Sequence, residues 1–194
     1  MNVTLIETSS PSTEERFVAT IVTAFAADPA ARWLYPDPHQ YLAYFPGFIR
    51  AFAGKSFECD TADEVDGFAG AALWLPPGVQ PDETPVVEVL QHSVAEQQLP
   101  EVFRVLEQMG SFHPTEPHWY LPLIGVDPCK QGQGVGAALM RRALARCDRD
   151  ICPVYLEATH PRNVSFYERF GFKRLGRIRS GNSPEIIPML RSSE

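Results

Sequence analysis

The 194-residue sequence predicts a mixed α/β fold on three observations. Apolar runs of strand length alternate with helical patterns along the chain. Two of those runs, Trp119 to Val126 and Val154 to Ala158, flank a single helix, which is the layout of a parallel strand–helix–strand unit. A glycine-rich turn, Gln131 to Gly136, separates the first run from that helix.

Asn2 to Glu7 alternates as an opening strand, with Val3 and Leu5 on one face. Ser12 and Glu15 have capping-box spacing, and Phe17, Val18, Ile21, Val22 and Phe25 follow at helical intervals. Glu14 to Ala27 therefore reads as an amphipathic helix, ended by Asp28-Pro29. Pro36-Asp37-Pro38 forms a loop, and Tyr41 to Phe52 reads as a second helix, interrupted or kinked at Pro46. Ser56 to Cys59 and Gly67 to Leu75 read as strands, the latter closed by Pro76-Pro77-Gly78. Helical patterns resume from Pro85 to His92 and from Pro100 to Met109, and are stopped by Gly110 and His113-Pro114. Asp127-Pro128 ends the Trp119 to Val126 strand. The helix after the glycine turn puts Val135, Leu139, Ala143, Leu144 and Cys147 on one face. Val154 to Ala158 is the next strand, followed by a short helix from Asn163 to Phe170 capped by Gly171. Arg174 to Ser180 and Glu185 to Arg191 read as a closing antiparallel pair. No repeat or shift of composition divides the chain, so residues 1–194 read as one domain.

With 17 Lys and Arg against 24 Asp and Glu, the net charge is -7. That balance argues against nucleic acid as a partner, which calls for a clustered basic face, and suits a cationic small molecule through long-range steering. Met1 to Leu5 lacks the basic and apolar regions of a signal peptide. The most apolar stretch, Gly67 to Val79, falls short of the ~18–20 residues that cross a bilayer, so no membrane partner is expected. Cys59, Cys129, Cys147 and Cys152 form no C-x-x-C pair, which fits a reducing, cytoplasmic protein without disulfides. Nor does metal-ligand spacing join His92, His113, His118, His160 and Cys129, so no metal is expected.

Glycines at Gln131-Gly132-Gln133-Gly134-Val135-Gly136 let the backbone turn tightly, and the following helix offers free N–H groups and a positive dipole end. The result is an anion cradle suited to a pyrophosphate. Ala137 follows Gly136 where a P-loop requires lysine, which excludes that motif. Gly132, Gly134 and Ala137 also match a dinucleotide fingerprint, with Glu157 20 residues past Ala137. Against that reading, Asp127 to Gln131 separate strand from glycine, and little chain follows Glu157 to complete a doubly wound sheet. A nicotinamide-dependent oxidoreductase stays open on these residues alone.

Gln131, Gly134 and Gly136 resemble the Q/R-x-x-G-x-G/A acetyl-CoA motif of the GNAT superfamily of N-acetyltransferases. The likeness runs upstream through Leu123 to Pro128 and downstream through Asn163 to Phe172. From about Pro114 to Phe172 it is similar to the puromycin N-acetyltransferase branch. The resemblance implies a GNAT fold: a mixed central sheet flanked by helices, with splayed parallel strands 4 and 5, here Trp119 to Val126 and Val154 to Ala158. It implies acetyl-CoA as cosubstrate and direct transfer of acetyl to the primary amine of a small molecule in a ternary complex. Backbone groups of Ile124 and Val126 are then expected to hold the pantetheine arm. Amides of Gln131, Gly132, Gln133, Gly134, Val135 and Gly136 are expected to take the pyrophosphate, and Asn163 and Tyr167 to contact CoA. Gln133 departs from the family, which commonly has a basic residue there. Tyr167 matches the tyrosine that protonates the departing thiolate. A homodimer is left open by the resemblance.

An attacking amine must first lose a proton, and Glu157 is the candidate base, its strand neighbours Val154, Leu156 and Ala158 forming the opposite face. His113 and His118, just ahead of a core strand, are candidates for lining the acceptor site. Phe25, Trp33, Tyr35, Tyr41, Phe45, Phe48 and Trp74 are candidates for an apolar acceptor pocket or for core. Arg141 and Arg142 are expected to face solvent. A non-catalytic acyl-CoA-binding module is the alternative, and retention of both Glu157 and Tyr167 speaks against it.

Overall fold

In the computed structural model, which describes residues 12–193, the chain is organised on a sheet of β1 (Ala62–Val65), β2 (Gly70–Leu75), β3 (Trp119–Val126), β4 (Val154–Ala158), β5 (Lys173–Arg174) and β6 (Ile187–Arg191). Their spatial order is β1-β2-β3-β4-β6-β5. Among the described strands only β3 and β4, the expected strands 4 and 5, run parallel; all other neighbours are antiparallel. The expected opening strand, Asn2 to Glu7, lies outside the described residues.

Helices cover both faces, as α1 (Thr13–Ala24), α2 (Pro29–Leu34), α3 (Pro38–Ala53), α4 (Lys55–Glu58), α5 (Glu83–Ser93), α6 (Leu99–Phe112), α7 (Val135–Arg149) and α8 (Pro161–Glu168). The two-residue period of the strands decides which side chain meets which layer. Leu73, Leu75, Tyr120, Leu123 and Tyr155 pack with Phe17, Ile21, Phe45, Ile49 and Leu90 of α1, α3 and α5. Ala72, Trp74, Leu121, Val154, Leu156 and Ala158 face the other way, onto Leu139, Met140 and Ala143 of α7 and Val164 and Tyr167 of α8. Gly125 permits the close seating of α1 on β3, because a Cβ there would stand 2.5 Å from that of Ala24.

The strands that frame the site separate within the sheet. β3 pairs with β4 only from Trp119↔Val154 to Leu121↔Leu156, then continues to Val126 without that partner. Pro122, the next residue, has no N–H to extend the ladder. On its other side β3 fits one extra residue against β2, between the Leu75↔Tyr120 and Leu73↔Leu123 pairs, a bulge that bends the strand there.

Four local expectations are corrected. Ser56 to Cys59 belongs to the turn of helix α4 and the residue after it rather than to a strand, and the edge strand is β1, whose Asp63 is compensated by Arg146 at 3.0 Å and Arg142 at 3.4 Å. Asp28-Pro29 ends one helix but immediately starts another, with Asp28 Oδ1 accepting from the Ala30 and Ala31 amides of α2. Helix α3 runs unbroken through Pro46. The carbonyl one turn back, which Pro46 cannot serve, belongs to Leu42 on the exposed side of the helix. Of the closing pair, Arg174 to Ser180 contributes only β5 and an isolated Ile178↔Ile186 bridge, and the chain at Gly176 instead passes close against Phe112. Arg141 and Arg142 are exposed as expected.

Candidate active site

The splay of β3 from β4 opens into a cavity of about 620 Å³. Ile124, Val126, Gln131, Gly132, Gly134, Val135, Gly136, Asn163, Tyr167 and Glu157 all line it. Every catalytic and cofactor-binding residue expected from the sequence thus borders one space except Gln133, whose side-chain amide donates back to the Cys129 carbonyl at 3.2 Å. Lys130 and Arg169 border the same space and supply cations there.

The turn fits a pyrophosphate on its own geometry. Gly132 and Gly134 have φ of +75° and +87°, a region that disfavours a side chain, and a Cβ on either would point into open space. Gly134 is the N-cap of α7 and no side chain caps that helix, which leaves its first amides free for an anion. Gly134→Ala is expected to cost about 1–2 kcal/mol in backbone strain. That corresponds to a fall in Tm of about 2–8 °C, together with roughly tenfold weaker acetyl-CoA binding. Thermal melts and calorimetric titration check both.

β4 directs Glu157 away from the α7 layer, onto the face that carries Tyr120 and Tyr155. Its side chain is 3% exposed. Tyr120 Oη donates to Glu157 Oε2 at 2.9 Å, while Oε1 is buried without a hydrogen-bond donor. Burial and the Glu157 charge push the Tyr120 and Tyr155 phenols above their usual range, so both stay neutral, and the Tyr155 hydroxyl, like Glu157 Oε1, is buried without a hydrogen-bond partner. A carboxylate oxygen left unpaired in the interior is costly and calls for a proton-bearing partner. Tyr167, on α8, packs against Phe166 and Phe172. Burial, and secondarily the charge of Asp28, raises its pKa, which keeps the hydroxyl protonated at neutral pH.

The other wall of the cavity is apolar: Phe25, Trp33, Phe45, Phe48, Phe52 and Met109 border it, whereas Tyr35, Tyr41 and Trp74 are core. Asp28 and Thr159 also border it, Thr159 Oγ1 donating to Asp28 Oδ2 at 2.6 Å. Sequence reading missed this pair. Asp28 carried only a helix-boundary signal, and nothing local links it to Thr159. It missed Tyr120 as well, although the parallel register puts Tyr120 on the face of Glu157.

His113 and His118 do not line the cavity; they lie behind Glu157. Burial lowers the pKa of His118. The unfolded chain therefore binds this proton more readily, so the contribution is intact above about pH 6.5 and is lost as pH falls toward the folded pKa. Thermal melts are expected to show Tm falling between roughly pH 7 and pH 5, with a shallower fall in His118→Gln. Cys147 is inert, burial pushing its thiol up to about 12.

Among the described residues no cluster of three or more His, Cys, Asp or Glu side chains sits in metal-binding range, and no helix is long and apolar enough to cross a membrane. Residues 88–192 match the acetyltransferase (GNAT) domain family. An uncharacterized N-acetyltransferase of Schizosaccharomyces pombe is 26% identical over 179 residues, covering 81% of this chain and 70% of that protein. A crystal structure from Corynebacterium glutamicum, named as histone acetyltransferase HPA2 and related acetyltransferase, is 25% identical with a TM-score of 0.65, covering 96% of this chain and 94% of the other. Arylalkylamine N-acetyltransferase 2 of Aedes aegypti shares the fold at 12% identity, with a TM-score of 0.63 and coverage of 96% and 98%.

Proposed function

Because the chain belongs to the GNAT acetyltransferase family, we propose that it transfers acetyl from acetyl-CoA to the primary amine of a small molecule, by direct attack in a ternary complex. The observation that carries this reading is the single cavity shared by the glycine turn, Glu157, Tyr167 and an apolar wall. The reading takes residues 1–194 as one acetyltransferase domain, since α1, α2 and α3 supply walls to the same cavity as the matched region. Four free cysteines suit a reducing, cytoplasmic setting.

Acetyl-CoA, when bound, supplies a thioester whose carbonyl carbon is open to a neutral amine. The amides of the Gln131 to Gly136 turn and the first turn of α7 bind its pyrophosphate, with Lys130 and Arg169 adding positive charge. Free backbone groups of β3 around Ile124 and Val126 hold the pantetheine arm and polarise the carbonyl. Asn163 adds a contact to CoA. Glu157 takes the proton from the amine through Oε1, held in orientation by Tyr120 at Oε2. As the N–C bond forms and the C–S bond breaks, Tyr167 gives its hydroxyl proton to sulfur, and the second proton that the nitrogen sheds on becoming an amide restores the Tyr167 hydroxyl. Phe25, Phe45, Phe48 and Phe52 exclude water and pack the apolar body of the acceptor, and the Asp28 carboxylate favours its cationic end.

Release of the CoA thiol across a panel of amines tests the reading. Primary amines on aromatic or aliphatic bodies are expected to stimulate release strongly, and tertiary analogues of the same bodies not at all. Release that no primary amine stimulates contradicts it.

A further inference from the structure

We propose that His113 is a positioning residue that receives the acceptor's proton from Glu157, its imidazole held for the task by His118. This rests on the reading of Glu157 as the base, and is carried by a chain of ring nitrogens that runs from the Glu116 carbonyl through His118 and His113 to the Glu157 carboxylate.

The chain starts at a backbone carbonyl. His118 Nδ1 lies 2.8 Å from the Glu116 carbonyl oxygen, which only accepts, so Nδ1 bears the hydrogen. His118 is 5% exposed, and burial disfavours its cation, which leaves Nε2 as a lone pair. That lone pair stands 3.1 Å from His113 Nδ1, which must therefore be the donor. In the relay the remaining nitrogen, His113 Nε2, is the one that accepts. It faces Glu157 Oε1 at 3.5 Å, the carboxylate oxygen with no hydrogen-bond donor of its own. Two lone pairs confronting one another in a buried site are satisfied by one proton between them.

That vacancy for a proton is what the reaction fills. Glu157 Oε1 takes H⁺ from the ammonium and becomes a carboxylic acid. The proton then passes to His113 Nε2, restoring the carboxylate and creating an imidazolium whose other N–H already donates to His118. No electrons are exchanged, and the positive charge of the ammonium ends on His113. The ring is fixed for this by Tyr120 and Tyr155, whose centroids lie 4.6 and 4.2 Å from its own. The titratable groups facing His113 are His118 from the segment before β3, Tyr120 from β3, and Tyr155 and Glu157 from β4. Both phenols stay neutral, so Glu157 is the group coupled to its charge.

Two measurements test the relay. Nitrogen-15 spectra of the histidine rings in the substrate-free protein are expected to show His118 protonated at Nδ1 alone. They are also expected to show a His113 Nε2 resonance that moves in Glu157→Gln. The pH profile of kcat in His113→Gln is expected to have its acid limb displaced by about one unit or more, with kcat about tenfold lower at neutral pH and KM for acetyl-CoA unchanged. His118 protonated at Nε2, or a His113 resonance indifferent to Glu157→Gln, overturns the relay without reference to activity. An unmoved acid limb in folded His113→Gln overturns it as well. If Glu157→Gln itself leaves the pH profile of turnover unchanged, the base assignment has failed and the relay falls with it. The spectra still report whether the two side chains are coupled.

Discussion

Glu157→Gln is expected to lower kcat/KM for the amine by about 10²–10³-fold near neutral pH, the usual contribution of a general base. Glutamine keeps the shape of the side chain and an oxygen for the Tyr120 hydroxyl, so the fold and acetyl-CoA binding should be preserved. What it loses is the ability to take a proton. An alkylamine is almost wholly protonated at pH 7, and the neutral fraction rises about tenfold per pH unit toward a pKa near 10. The deficit is therefore expected to be largest at low pH and to narrow as the solution supplies free amine. Rate profiles from pH 6 to pH 10, roughly the span over which an amine titrates, check this. A variant whose profile parallels the wild type shows that Glu157 is not the base.

Tyr167→Phe is expected to lower kcat by about 10–100-fold with little effect on stability. The phenyl ring retains the packing on Phe166 and Phe172, and only the hydroxyl is removed. Because burial holds this phenol protonated, the wild-type enzyme should show no alkaline loss of rate from Tyr167 below about pH 10. Comparison of kcat for acetyl-CoA and for a thioester with a more acidic thiol checks the role. The better leaving group should recover most of the lost rate if Tyr167 protonates sulfur. Equal deficits for both thioesters would reduce Tyr167 to a core residue.

Much of the cofactor side was legible because its signals are local. Glycine spacing marks the turn, apolar period marks α7, and the segment from Asn163 to Phe172 carries its own signature. Each needs only residues within a few positions. The acceptor side depends on long-range encounters. Asp28 joins the site through Thr159, 131 residues away, and Tyr120 reaches Glu157 across 37. The histidines were visible as candidates, yet their place behind the carboxylate depends on how the end of α6 returns over the sheet. Strand β1 escaped notice for the same reason, since the buried Asp63 is compensated by an arginine 83 residues later. Short elements such as α4 are too brief for periodicity, and their form follows from what they pack against.

An initial-rate grid varying acetyl-CoA against one active primary amine tests the central claim most directly. Direct attack within the shared cavity predicts double-reciprocal lines that intersect, with no acetylated enzyme in intact-mass spectra taken with acetyl-CoA alone. Parallel lines accompanied by an acetylated protein would contradict it, since the acetyl group would then travel through a side chain of the enzyme.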